Sequence, residues 1–314
     1  MTTADPARAP EALDAFQNDR VYLGADHRRN ERRTWIVAGI CAVTLAAQLA
    51  GGLAFRSVAL TASGLHMAAH VAALLTAAAA YALARRHAED PRFAFGTGKL
   101  GYLAGFANAV VLAMTAVLIA VESVARMIRP EPVDYQSALP LAAAGLAVTL
   151  VCMALLRPTR ETHHRHDRDG DLNIGAAHLH LSADAVVSGL TIAAMAAGLW
   201  LGWTWTDAVA GLVGAGLVAQ FAWSLLRKAA AALLDMNPSA ELTAEIRQRL
   251  EAGGEQVIDL HLWRLGPGHH AVLAVVAAGH PQDPEAYRAR LAGLSGLSHV
   301  TVEVRGAGAT HSHV

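Results

Sequence analysis

The amino-acid sequence predicts an all-α six-helix transmembrane domain followed by a small cytosolic α+β domain of order αββαβ. Three observations carry that prediction. Six apolar runs each reach the roughly 20 residues a helix needs to cross a bilayer. The Lys and Arg residues crowd into alternate connecting loops, and beyond Asp235 the composition becomes that of a water-facing domain. Of 314 residues, 54% are hydrophobic and only 16% charged, against roughly 25% charged in soluble domains. Ala, Leu, Val and Gly fill the deficit, the residues of helices that face lipid and one another. A mean hydropathy of +0.32 excludes intrinsic disorder. A net charge of −1 argues against nucleic acid as a partner. Both cysteines, Cys41 and Cys152, fall in apolar runs, so no disulfide scaffold and no CxxC motif is expected.

The predicted spans are 34–55, 57–84, 100–124, 137–156, 174–201 and 206–226. Residues 1–33 form a polar arm, which makes the first run a span and not a cleaved signal. The transport domain is placed at 34–228, with a His-rich loop at 157–173, and the tail domain at 235–314. Arg20, Arg28, Arg29, Arg32 and Arg33 precede span 1; Arg85, Arg86, Arg92 and Lys99 separate spans 2 and 3. Arg157, Arg160, Arg165 and Arg168 separate spans 4 and 5, and Arg227 and Lys228 follow span 6. The opposite loops hold only Arg56, Arg126 and Arg129, a bias of fifteen to three. By the positive-inside rule both termini face the cytosol of a multi-pass protein, here expected in a bacterial inner (plasma) membrane. Gly101, Gly105, Gly211, Gly214 and Gly216 offer close helix contact, although glycine is also simply frequent in such spans.

In the tail, 240–251 has helical periodicity with Leu242, Ile246 and Leu250 on one face. Runs 256–265 and 270–278 flank Gly266-Pro267-Gly268, a turn signal between two strands. A helix follows at 284–294, and 299–304 alternates as a strand with Val300, Val302 and Val304 on one side.

Ionisable groups are costly inside a span and mark a pathway by default. Span 2 contains His66 and His70, and span 5 contains His180 and Asp184. Each pair is spaced i,i+4, which stacks both side chains on one helix face. Three imidazoles and one carboxylate complete a tetrahedral set for a borderline divalent metal. A lone HxxxH is more often coincidence, but an aspartate left unpaired in hydrocarbon costs several kcal/mol. Glu122 and Asp207 lie near the outer surface and read as interfacial residues. His163, His164, His166 and Asp167 make the loop before span 5 either a metal-collecting segment or a polar linker. In the tail, His261, His269 and His270 could meet across a hairpin.

Together these features resemble the cation diffusion facilitator family of metal/proton antiporters, over about residues 20 to 305. The stretches that carry the resemblance are 26–35 (DHRRNERRTW), 93–105 (FAFGTGKLGYLAG), HLSAD at 180–184 and 259–270 (DLHLWRLGPGHH). They look most like the DmeF-type branch, associated with cobalt and nickel efflux. Family members usually place HxxxD or DxxxD on span 2; the His70 found here is typical of the cobalt/nickel branch. The resemblance implies that His66, His70, His180 and Asp184 form the transport site. It also implies an ion pair between Lys99 and Asp235 that ties the membrane half to the tail, and a homodimer. Phe93 and Thr97 stand where some members have loop histidines, so no metal is expected there. Ile258, Glu303 and Arg305 replace ligands of the family's binuclear tail site, which is therefore not expected in its usual form.

The function so implied is efflux of divalent metal, Co²⁺ and Ni²⁺ ahead of Zn²⁺ and Cd²⁺, against protons, by alternating access around a midplane site. The metal is cargo; no resident cofactor and no covalent chemistry are expected. A membrane metalloprotease would present HExxH, but Met67 follows His66. The remaining alternative is a membrane-bound metal sensor, which would bind metal and move none.

Overall fold

The computed structural model describes residues 21–54, 58–129, 135–157, 171–203 and 205–306. Six long helices form the first part: α1 His27–Ala54, α2 Val58–Arg86, α3 Leu100–Ile128, α4 Tyr135–Leu155, α5 Leu172–Leu201 and α6 Thr206–Leu233. Among the described residues, five of them (α1, α3, α4, α5 and α6) are long and apolar enough to cross a membrane; α2 matches them in length at 29 residues. The helices coincide with the six apolar runs, and α1, α2, α3 and α6 continue past them into charged residues. α1 starts at His27, seven residues ahead of the apolar run, because charged residues that lipid rejects still sustain helical hydrogen bonding. Arg85 of α2 forks onto Glu31 of this extension at 3.0 and 3.1 Å.

α3 packs along α6 and α1 along α2, while α5 touches α4, α6 and α3. Small residues set the closest approaches. A Cβ on Gly211 of α6 would lie 2.1 Å from Ser123 Oγ of α3, and Gly105 of α3 meets Leu172 and Ala176 of α5. Gly214 meets Val187, whereas Gly216 faces open space, so the glycines of α6 do not share one role. Met114, Val117, Leu118 and Val121 of α3 are exposed, the face a membrane helix turns to lipid. Trp200, Trp203 and Trp205, also exposed, gather where α5 gives way to α6, as interfacial aromatics do. There Arg126 donates to Glu122 at 2.9 Å and to Asp207 at 3.0 Å. The two acidic residues are joined through one guanidinium, so α3 and α6 are clamped at that end.

The tail follows as α7 Ala240–Leu250, β1 Gln256–Gly266, β2 His269–Ala278, α8 Pro284–Leu291 and β3 Leu297–Gly306. Ser239 caps α7 by accepting from the Leu242 amide at 3.1 Å. β1 pairs antiparallel with β2, and β2 pairs parallel with β3, giving the order β1-β2-β3. The parallel pair needs a crossover connection, which α8 supplies. Leu242, Ile246 and Leu250 of α7 and Tyr287 and Leu291 of α8 bury against Val272 and Val276 of β2 and Val302 of β3. Val300 and Val304 join that core partly buried.

The tail and the membrane half meet at the α2–α3 loop and at the segment just before α1. Main chains come so close there that only glycine fits. A Cβ on Gly266 would lie 2.2 Å from the Tyr22 carbonyl oxygen, and one on Gly98 would lie 2.4 Å from the Leu265 carbonyl oxygen. Phe95 packs edge-on to Trp263 and to His299, with centroids at 5.6 and 5.8 Å, and the Arg264 guanidinium lies over the Tyr102 ring. Lys99 Nζ donates to Asp235 Oδ1. Asp235 sits just past α6 with φ +55°, the left-handed position that ends many helices. The Met236 amide closes back onto the Ala231 carbonyl at 3.0 Å.

Two predictions follow from this packing. Gly266→Ala should loosen the tail from the segment before α1 and from the α2–α3 loop, at a cost of about 1–3 kcal/mol, read as a lower melting temperature and faster amide exchange in β1. Gly216→Ala, into open space inside a helix, should leave β1 exchange unchanged and should not lower the melting temperature. Separately, the Arg290 guanidinium, 2.7 and 3.0 Å from Glu255, holds that carboxyl down at about 2. A depressed carboxylate stabilises the fold above its unfolded value of roughly 4.3 and loses that stabilisation as pH falls toward 2. The difference in tail exchange protection between wild type and Arg290→Met should therefore be constant above about pH 5 and shrink below it. A difference independent of pH would contradict this.

Candidate metal centre

α2 and α5 run antiparallel and face each other in the middle of the bundle, and each presents an imidazole at their contact. His70 of α2 uses both ring nitrogens: Nδ1 lies 3.1 Å from His180 Nε2, and Nε2 lies 3.4 Å from Asp184 Oδ2. The two rings meet edge to face, with centroids 5.1 Å apart. His70 is 3% exposed and His180 6%, and buried polar groups of this kind are held by partners, here each other. Their i,i+4 spacing on α5 is what lets His180 and Asp184 reach the same partner. Thr149, from α4, donates to Asp184 Oδ2 at 3.2 Å.

His66 lies one turn before His70 on α2, and its side chain is outside the described residues. Among the described residues, no group of three or more His, Cys, Asp or Glu is arranged to hold a metal ion. The reason is local: the His70 nitrogens point at His180 and at Asp184, not at one shared point. What the arrangement offers is a set of nitrogen and oxygen donors already in contact, buried, and drawn from two helices. A cation would have to separate them in order to sit between them.

A cavity of about 290 Å³ reaches this set. It runs from His70, His180 and Asp184 past Ile119, Thr191 and Gly211, toward the end of the bundle that carries the tryptophans. The opposite, tail-bearing end is closed by polar contacts. Tyr81 Oη and Asn30 Nδ2 both donate to Asp171 Oδ2, the latter at 2.9 Å. Asp171 also caps α5 by accepting from the Asn173 amide at 3.0 Å. Asn173 Nδ2 donates to the Ala77 carbonyl at 2.9 Å, and Tyr81, Asn30 and Asn173 are all buried. This layer lies two to three helical turns, about 10–16 Å, from His70 and His180. It joins α1, α2 and α5.

His163, His164, His166 and Asp167 lie outside the described residues. In the tail, His261 is exposed and pairs with Asp259 at 3.0 Å. His269 Nδ1 shares a hydrogen bond with Ser298 Oγ at 2.7 Å. His270 is buried and stands opposite Arg264 in the ladder, whereas His261 stands opposite Leu273. His261 is thus not brought to His269 or His270. Lys99 and Asp235 are brought together. The residues that spacing did not single out are Thr149 and the layer of Asn30, Tyr81, Asp171 and Asn173. Only Asp171 left a signal, as a helix cap ahead of an apolar run. Cys41 and Cys152 are both buried and in contact, with their sulfurs 3.7 Å apart.

The comparisons with known proteins agree with this architecture. The family profile described as the cation efflux transmembrane domain matches residues 34–234, which spans all six helices. The zinc transporter ZitB of Escherichia coli is 32% identical over 241 residues, covering 76% of this chain and 74% of its own. The metal cation efflux system protein CzcD of Cupriavidus metallidurans is 29% identical over 294 residues, 90% of each chain. A cadmium, cobalt and zinc/H(+)-K(+) antiporter of Bacillus velezensis is 26% identical over 272 residues, 84% of each. The chain belongs to the cation efflux family, the cation diffusion facilitators, and is a multi-pass membrane transporter, not an enzyme.

Proposed function

We propose that the protein exports divalent transition-metal cations from the cytosol in exchange for protons, using His66, His70, His180 and Asp184 as one transport site. The observation that carries this reading is the contact of His70 with both His180 and Asp184, buried between α2 and α5 at the foot of a cavity. Imidazole and carboxylate bind metal only after losing their protons, so cation and proton compete for the same atoms. A cation arriving from one side therefore releases protons, and protons arriving from the other side release the cation.

The cavity on one side and the Asn30–Tyr81–Asp171–Asn173 layer on the other support assigning this arrangement to one end state of alternating access. By the Lys/Arg bias the closed, tail-bearing end is cytosolic, which makes the cavity outward-facing. The bilayer assigned is the bacterial inner membrane, with both termini cytosolic, and the working unit a homodimer, as the family resemblance implies.

The cargo assigned is a borderline metal. Relatives named for zinc and for cadmium, cobalt and zinc favour a range that includes Zn²⁺ and Cd²⁺. A site of three imidazoles and one carboxylate suits Co²⁺, Ni²⁺ and Zn²⁺ alike. The order with Co²⁺ and Ni²⁺ first rests on the His70 that replaces a family carboxylate and on the DmeF-type stretches.

Uptake of Co²⁺, Ni²⁺, Zn²⁺ and Cd²⁺ driven by a pH gradient in proteoliposomes tests the assignment. Wild type should accumulate metal and dissipate the gradient, while Asp184→Ala and His180→Ala should fall to background. Equal uptake by wild type and Asp184→Ala would remove the site, and binding without flux would make the protein a sensor. In an export-deficient strain, rescue from cobalt and nickel should exceed rescue from zinc. Rescue from zinc alone would overturn the metal order.

A further inference from the structure

We infer that Thr149 is a specificity-determining positioning residue: its hydroxyl fixes the Asp184 carboxylate so that one oxygen, and not both, meets the transported cation. The inference rests on the reading of Asp184 as a ligand of the transport site. Thr149 comes from α4, the helix beside α5 that contributes none of the four proposed ligands. It is 4% exposed, and its Oγ1 lies 3.2 Å from Asp184 Oδ2.

A hydroxyl in a membrane helix has an easier partner close at hand, the carbonyl four residues earlier. Thr34, Thr44, Thr76, Thr115 and Ser123 all take it, donating to Asn30, Ile40, Ala72, Val111 and Ile119 at 2.7–3.0 Å. A hydroxyl has one proton to donate, and Thr149 directs it across the helix interface to the carboxylate. The bond is therefore a departure from local satisfaction, placed at the site.

Its consequence follows from coordination chemistry. Asp184 Oδ2 is engaged by Thr149 and approached by His70 Nε2. Metal binding takes the imidazole nitrogen away, but it leaves the Thr149 bond in place because Thr149 is not among the ligands. The Thr149 bond occupies one of the lone pairs of Oδ2 and resists the rotation that would bring both oxygens equally onto one ion. The carboxylate so held supplies a single oxygen to a compact four-coordinate shell, the preference of Zn²⁺ and tetrahedral Co²⁺. A larger ion such as Cd²⁺, nearly the size of Ca²⁺, accepts more ligands and gains from a bidentate carboxylate. Thr149 thus selects against the larger cation by restraining the ligand, with no steric wall.

The test compares Zn²⁺, Co²⁺ and Cd²⁺ uptake by the full-length protein in proteoliposomes for wild type, Thr149→Val, Thr149→Ser and Asp184→Ala. Valine keeps the volume and removes the donor; serine keeps the donor. Thr149→Val should raise KM for Zn²⁺ and Co²⁺ about tenfold, the size typical of losing a partner behind a metal ligand, with maximal rates little changed. Cd²⁺ should be spared, so its preference over Zn²⁺ rises by about the same factor. Thr149→Ser should restore the wild-type ratio. An unchanged Cd²⁺/Zn²⁺ ratio in Thr149→Val, an equal loss for all three metals, or a serine variant that behaves as valine would each overturn the inference. If Asp184→Ala is inactive while Thr149→Val keeps the wild-type ratio, this inference alone fails. If Asp184→Ala transports like wild type, the site reading fails first and takes the inference with it.

Discussion

Hydrocarbon offers no hydrogen bonds, so each polar side chain placed among these helices must be satisfied by another side chain or by the backbone. That constraint organises the membrane half into three polar layers. At the tail-bearing end, Asp171 gathers Tyr81 and Asn30, and Asn173 reaches the α2 backbone. In the middle, His70 meets His180 and Asp184, and Thr149 backs the carboxylate. At the far end, Arg126 joins Glu122 to Asp207. Apolar attraction between helices is weak in lipid, and apolar contacts alone would tolerate sliding. The polar layers fix which turn of one helix faces which turn of its neighbour. Glycine contacts such as Gly211 on Ser123 then set how closely the helices approach.

The layers differ in how far they could be read from the chain. The six helices were legible because an apolar run of bilayer length has few alternatives, and each of α1 to α6 overlaps one of the runs to within a residue or two at its apolar ends. Their ends were less so: hydropathy reports contact with lipid, while helical hydrogen bonding runs on through charged residues, as from His27 to Arg33. The i,i+4 spacing of His180 and Asp184 declared a shared face. Thr149 carried no such sign, since threonine in a span normally bonds its own backbone and only the facing helix reveals otherwise. Glu122 and Asp207 read as separate interfacial residues because Arg126, which joins them, had been counted only as a loop charge. In the tail, β3 alternates and was legible by that alternation. The partners of His261, His269 and His270 depended on ladder register and on Ser298, which sequence spacing does not contain.

The junction between the two halves obeys a different rule. Gly98 and Gly266 let the α2–α3 loop, the end of β1 and the segment before α1 touch through their main chains, and Phe95, Trp263 and His299 surround that contact with rings. Lys99 and Asp235 add a charge pair that is partly exposed, a geometry that contributes little stability on its own. Steric fit at the glycines is therefore the larger contribution, and the ion pair orients the end of α6 within it. Because the α2–α3 loop continues directly into α2 and α3, a shift of the tail is felt at the foot of the helix that holds His66 and His70.

The same polar constraint that fixes the resting arrangement also shapes how the protein can move. A cation that binds between α2 and α5 must break the contacts of His70 with His180 and Asp184, so its net affinity is the difference between metal bonds gained and hydrogen bonds lost. A carboxylate carrying neither metal nor proton nor hydrogen-bond partner would cost several kcal/mol at this depth. States in which the helices have separated around an unloaded, uncompensated site are therefore raised in energy and sparsely populated. On the proposed assignment, rearrangement is permitted when the site holds a metal or when its groups hold protons, and the empty charged form is held back between the two. Obligatory exchange, on that same proposed site assignment, needs no separate lock. It follows from placing one aspartate and its imidazole partners between α2 and α5, where their partners in this state are one another and Thr149.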